Sequence, residues 1–209
     1  MTAILKVDTI QDTAGNNIIN ESSDTITIGA SGDTTNIVGT LQNNGSALNF
    51  ATVNGITMAD QWRLTADMNI DNGSIFNSNL ERIDTSGQGT IGTAMSESSG
   101  VFSFPSTGIY WVHANITYKK NAARRYVGIN MRVTTNNSSY AELTESYSEI
   151  NPPDSNDAYA NVTTTSYIDV TDTSNVKVRF NGLAPATISA IGNTARNLTT
   201  FSFIRLGDT

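Results

Sequence analysis

Lys119, Lys120, Arg124 and Arg125 fall within seven positions of a chain that sets 12 Lys and Arg against 19 Asp and Glu. Guanidinium forks and ammonium groups at that density suit phosphates or the carboxylates of a cell-surface glycan. The plainer reading is a solvated hairpin loop whose charges are screened. Further on, Asp154 and Asp157 stand near Glu149, Pro152 and Pro153. Such oxygen ligands suit calcium, the only cofactor the chain suggests, but their spacing matches no fixed motif and most acidic loops are simply hydrated. Tyr147 and Tyr159 offer aromatic faces that could stack on sugar rings or merely pack.

Catalytic chemistry has little to work with. The chain has one histidine, so a Ser-His-Asp triad would have to use His113. There is no Gly-x-Ser-x-Gly elbow and no phosphate-binding glycine loop. Asp and Glu lie mainly in turn-like stretches, so no pair is marked out for glycoside hydrolysis. We therefore expect no enzyme. In a threefold assembly three copies of His113 could converge on a metal or anion, although a hydrogen-bonded interface or surface histidine is the commoner outcome. No metal site is assigned.

The chain has no cysteine, which excludes disulfides, zinc-cysteine sites and thiol catalysis. A net charge of -7 argues against nucleic acid as a partner and against a polybasic membrane anchor. No run approaches the roughly 18 apolar residues of a membrane helix. The start, MTAILKVDTIQD, carries no readable signal peptide, so a cytoplasmic origin is expected.

The positioning elements read as strands. In Gly108–Tyr118, Tyr110, Val112, Ala114, Ile116 and Tyr118 take one face and Ile109, Trp111, His113, Asn115 and Thr117 the other. A period of two over that length is a β-strand with one face on a core. Ile109 and Trp111 on the second face call for a neighbouring subunit or a second sheet. Further strands are expected at 61–65 (Trp62 and Leu64 inward), 126–133, 162–170, 176–180 and 201–206. The last has apolar residues on both faces, as a central strand does. Many short strands between Gly, Asn, Asp and Pro turns mean a sandwich, barrel or jelly roll. Counting strand directions puts the loops 119–125, 147–161 and 183–198 at one end, far from the N-terminal segment. The turns 134–140 and 171–175 fall at the other end.

The first fifty or so residues differ. Ile18, Ile28, Val38 and Leu48 fall ten apart, separated by polar turn formers. Each unit is a short strand and a turn that cannot bury its stripe alone. We read 13–56 as a slender shaft completed by three chains, with a disordered polar leader as the alternative. Ile4, Leu5, Val7 and Ile10 form an apolar tip in residues 1–12, expected to dock on a larger body or to be the first strand of the shaft. The head then spans 57–209.

Gly100, Phe102, Pro105, Gly108 and Tyr110 form a Gly-x-Phe-x-x-Pro-x-x-Gly-x-Tyr segment, followed by TSYIDVTDTSNVKVRFNG and a closing TTFSFIRLGD. This resembles the jelly rolls of the tumour-necrosis-factor and complement globular-head family. The resemblance implies an all-β, ten-strand-type sandwich that assembles as a homotrimer. Ile109, Trp111, His113, Phe201 and Phe203 are then the candidate trimer interface. The N-terminal LKVDTIQDTAGNNIINESSDTITIGASGD resembles the start of fibre proteins of marine tailed phages, which implies a virion location. The expected function is a fibre or spike subunit attaching to a host surface glycan or protein, bound to other virion proteins through its N-terminal segment. Alternatives are a capsid decoration or neck protein, and a fibre-borne polysaccharide depolymerase.

Overall fold

The computed structural model describes residues 55–209 continuously, together with Val38 and the strands β1 (Gln42–Asn43) and β2 (Ser46–Ala47), which pair antiparallel. The docking candidates Ile4, Leu5, Val7 and Ile10 lie outside the described residues, as does the ten-residue repeat apart from Val38.

The described residues contain strands and no helix. Thirteen strands follow β2: β3 (Met58–Leu64), β4 (Met68–Ile70), β5 (Ser74–Ile75), β6 (Leu80–Arg82), β7 (Ser96–Ser98), β8 (Val101–Ser103), β9 (Gly108–Lys120), β10 (Arg124–Thr134), β11 (Ala141–Ile150), β12 (Ala158–Val170), β13 (Lys177–Leu183), β14 (Ile188–Ala190) and β15 (Thr200–Gly207). They form two antiparallel sheets packed as a jelly-roll sandwich. The first runs β4-β14-β9-β15-β3-β6, with β12 on the free edge of β9; the second runs β11-β10-β13-β8-β7, with β5 also on β13.

Alternation builds the core. On β9, Tyr110, Val112, Ala114, Ile116 and Tyr118 are all fully buried, as are Val127, Ile129 and Met131 on β10 and Val178 and Phe180 on β13. The glycines of the Gly-x-Phe segment have steric reasons. Gly100 takes a φ of +83°, where a side chain is strained, and a Cβ there would lie 2.5 Å from the Phe76 carbonyl. A Cβ on Gly108 would lie 2.5 Å from the Gly207 carbonyl, so its absence lets β15 approach the start of β9.

One expectation is corrected. Phe201 and Phe203 do not face a subunit interface. Phe201 pairs with Ala114 and Phe203 with Val112, so both point inward and are fully buried. Their rings join an aromatic cluster, with Phe203 5.0 Å from Phe102 and Phe201 4.6 Å from Phe180. Ser202 and Ile204 take the outward face.

Two buried charges on β3 were not foreseen. The Asp60 carboxylate is enclosed and accepts bonds from Trp62 Nε1, the Met95 amide and Arg82 Nε, each at 3.0 Å. Arg63, on the opposite face, is 1% exposed. Its guanidinium donates to Glu81 at 2.7 Å, Asp84 at 2.7 Å, Thr85 at 2.6 Å and Asn197 at 3.3 Å. A buried charge needs that degree of satisfaction to persist.

The registers Lys120↔Ala158, Arg124↔Ile150 and Gly128↔Leu183 gather 121–123, 151–157 and the segment after β13 at one end of the sandwich. Residues 135–140 and 171–176 lie at the other end. The expected 183–198 loop contains β14, which pairs with both β4 and β9.

Candidate functional site

The outward face of the first sheet carries an apolar row. Directly opposed residues share a face, and the registers run Tyr167↔Trp111, Trp111↔Ile204, Ile204↔Ala59 and Ala59↔Ile91. Tyr167 is 67% exposed and Ile91 48%, while Trp111, Ile204 and Ala59 are half-buried. The next row is polar: Thr165, His113, Ser202 and Gln61. Gln61 Nε2 donates to Ser202 Oγ at 2.7 Å. Trp111, His113, Gln61, Ile83 and Ile204 line a depression of ≈ 510 Å³. Burial holds the His113 imidazole below its ordinary pKa, against a smaller opposing contact with the Thr164 main chain. Ile109 lies half-buried on the same face, opposite Asp169.

The four clustered basic residues flank the 121–123 turn, but they are not four free cations. Lys119 pairs with Asp67 at 2.8 Å, which raises the Lys119 pKa and ties the end of β9 to the segment before β4. Arg124 donates to the carbonyls of Ala123 at 2.9 Å and Thr187 at 3.3 Å. Arg125 lies over the Tyr126 ring, 5.5 Å from its centroid. Lys120 has no ion pair among the described residues.

The acidic candidates do not converge. Asp154 caps its own turn by accepting the Asn156 amide at 2.8 Å, and Asp157 and Glu149 are exposed. Among the described residues no three His, Asp or Glu side chains group as metal ligands. Tyr147 and Tyr159 stand on different sheets, 54% and 65% exposed. The Tyr147 ring lies across Gly128, where a Cβ would come within 2.7 Å of its Cδ1. It meets Tyr126 edge-on at 5.8 Å and donates its hydroxyl to Glu145 at 2.8 Å. That bond holds the Glu145 carboxyl below its ordinary pKa.

Sequence reasoning missed a polar ladder on the outward face of the second sheet. Asn130 faces Asn181, and Arg132 faces Arg179. Asn130 donates to Glu142 and, at 3.4 Å, to Glu145. Alternation within 176–180 puts Lys177 and Arg179 outward, and alternation within 126–133 does the same for Asn130 and Arg132; only the pairing of β10 with β13 brings them together.

No family model matches the sequence, and no curated protein matches it. The fold does have solved counterparts. Eiger TNF from S. frugiperda superposes with a TM-score of 0.57 at 10% identity, over 74% of this chain and 95% of that one. Murine APRIL at pH 5.0 gives a TM-score of 0.52 at 10% identity, over 71% and 98%. At such identity the likeness is one of fold.

Proposed function

We propose that this jelly roll is the head of a homotrimeric virion fibre or spike subunit that attaches the particle to a host cell surface without catalysis. In this reading residues 1–12 dock on other virion proteins and 13–56 form the shaft. The observation that carries the trimer is the apolar row Tyr167–Trp111–Ile204–Ala59–Ile91. Apolar surface left in water forgoes about 25 cal/mol per Å², and a contiguous row on a soluble head calls for a covering partner. A second copy of the same chain is the partner always at hand, and closed symmetry limits growth. The virion assignment rests on the fibre-like N-terminal sequence. Three heads on one stalk let weak single sites act together, with avidity gains of roughly 10² to 10⁴.

Light scattering on the purified full chain tests the assembly. The expected mass is three times the 22.4 kDa subunit. Trp111→Glu places a charge in the row and should yield folded monomer. A wild-type monomer at micromolar concentration overturns the trimer. The attachment reading is tested separately, by competition of the wild-type chain with particle adsorption to host cells; competition equal to that of an unrelated acidic protein overturns it.

A further inference from the structure

We propose that the outward face of the second sheet is a binding site for a sparsely acidic saccharide, with Arg132 and Arg179 as the seat for its oxyanion. The site is separate from the apolar row and does not depend on trimer formation.

Arg132 and Arg179 are direct cross-strand partners on β10 and β13. Like charges so placed repel, and an anion bound between them would relieve that cost. Glu142 stands opposite Arg132 on β11 with its carboxylate taken up by Asn130, and the ion pairs within 4.0 Å among the described residues involve Arg63, Arg82, Lys119 and Arg205 but neither of these two. The Nε atom of each is buried and has no hydrogen-bond partner. Both side chains are nonetheless held in place by Tyr140. Its ring lies under the Arg179 guanidinium at 4.0 Å, and its carbonyl accepts from Arg132 Nη2 at 3.2 Å. Two oriented guanidinium forks outside any ion pair are a preorganised seat for a carboxylate, sulfate or phosphate.

The rest of the ladder narrows the class. Four residues along β10 from Arg132 stands Gly128, with the exposed Tyr147 ring across it. That places an aromatic plate about 14 Å from the seat, at roughly 3.4 Å per residue. Tyrosine faces suit sugar rings. Between the two lie Asn130 and Asn181; Asn130 holds Glu145, its own opposite on β11, and Glu142, the residue opposite Arg132. Those carboxylates accept from hydroxyls but repel a second anion. The ligand therefore carries its acid on the β13 side of the seat, at Arg179 and away from β11, with neutral sugar over the glutamates, which disfavours a uniformly charged polyanion.

The test uses the full chain and four probes followed by calorimetry and by the arginine Nε–Hε resonances: a hyaluronan oligosaccharide (one carboxylate per disaccharide), a heparin oligosaccharide, a neutral chitin oligomer and inorganic phosphate. The hyaluronan probe should bind best, shifting the Arg132 and Arg179 signals but not that of Arg63. Arg179→Gln and Tyr147→Ala should each weaken it at least about tenfold, with oligomer mass unchanged. Glu142→Gln should improve heparin binding by easing repulsion. Absence of hyaluronan binding, equal binding of the neutral oligomer, or affinity unchanged in the Arg132→Gln/Arg179→Gln double variant overturns the site. Phosphate binding alone leaves only an anion seat and overturns the saccharide claim.

Discussion

The imidazole of His113 lies parallel to the Trp111 indole, with ring centroids 5.3 Å apart and planes within 6°. The two are neighbours on one face of β9, so the stack couples the apolar row to the polar row beside it. The chain's one titratable group in the ordinary imidazole range therefore sits at the edge of the proposed subunit contact.

That placement sets a pH dependence. Burial lowers the folded-state pKa of His113 below the unfolded value of 6.5. Above that value the ring is neutral in both states and contributes no slope. As the pH falls below about 6.5 the unfolded chain takes up the proton first, so stability is lost progressively until the folded-state pKa is passed. Melting temperatures should fall more steeply between about pH 7 and pH 5 in the wild type than in His113→Gln. Parallel profiles for the two proteins would show that His113 titrates as in the unfolded chain.

Arg63 makes the opposite kind of prediction, one of asymmetry. Its side chain is 1% exposed, whereas those of its partners Glu81 and Asp84 are 31% and 77% exposed. Removing the cation, as in Arg63→Met, leaves two carboxylates that reach water and should cost at most about 2 kcal/mol. Removing the anions, as in Glu81→Gln/Asp84→Asn, strands a buried guanidinium and should cost on the order of 3–5 kcal/mol. Urea denaturation of the two variants decides the order. If Arg63→Met is the worse of the two, the guanidinium contributes by packing under β6 and the segment at Asn197 rather than by charge.

The legible and illegible parts of this chain divide along one physical line. Strand alternation is local, so the two faces of β9 and the inward faces of β10, β12 and β13 follow from the residues themselves. Contacts distant in sequence do not. FSFIRL is apolar at both parities, and only the pairing of β15 with β9 and β3 sends Phe201 and Phe203 inward and Ile204 outward. Nothing local marks Asp60 and Arg63 as buried charges, because their partners Arg82, Glu81, Asp84 and Asn197 arrive from other elements. For the same reason the basic residues at the 121–123 turn stood out as a sequence cluster, whereas Arg132 and Arg179, far apart in the chain, did not.

The corrected side of β15 has its own consequence. Phe203 is fully buried, with its ring 5.0 Å from Phe102 and 6.3 Å from Phe180, on a strand flanked by β9 and β3. Phe203→Ala empties the middle of that cluster and should cost about 3–5 kcal/mol, since the surrounding rings relax only partly into the cavity. Because the ring faces the core of its own subunit, the variant should keep the wild-type oligomer mass under conditions where it remains folded. Trp111→Glu, on the other face of the same sheet, should change the mass and leave the core intact. Denaturant melts and light scattering on the two variants therefore separate core from interface. A Phe203→Ala protein that is nearly as stable as wild type but falls apart into single subunits would return Phe203 to the interface.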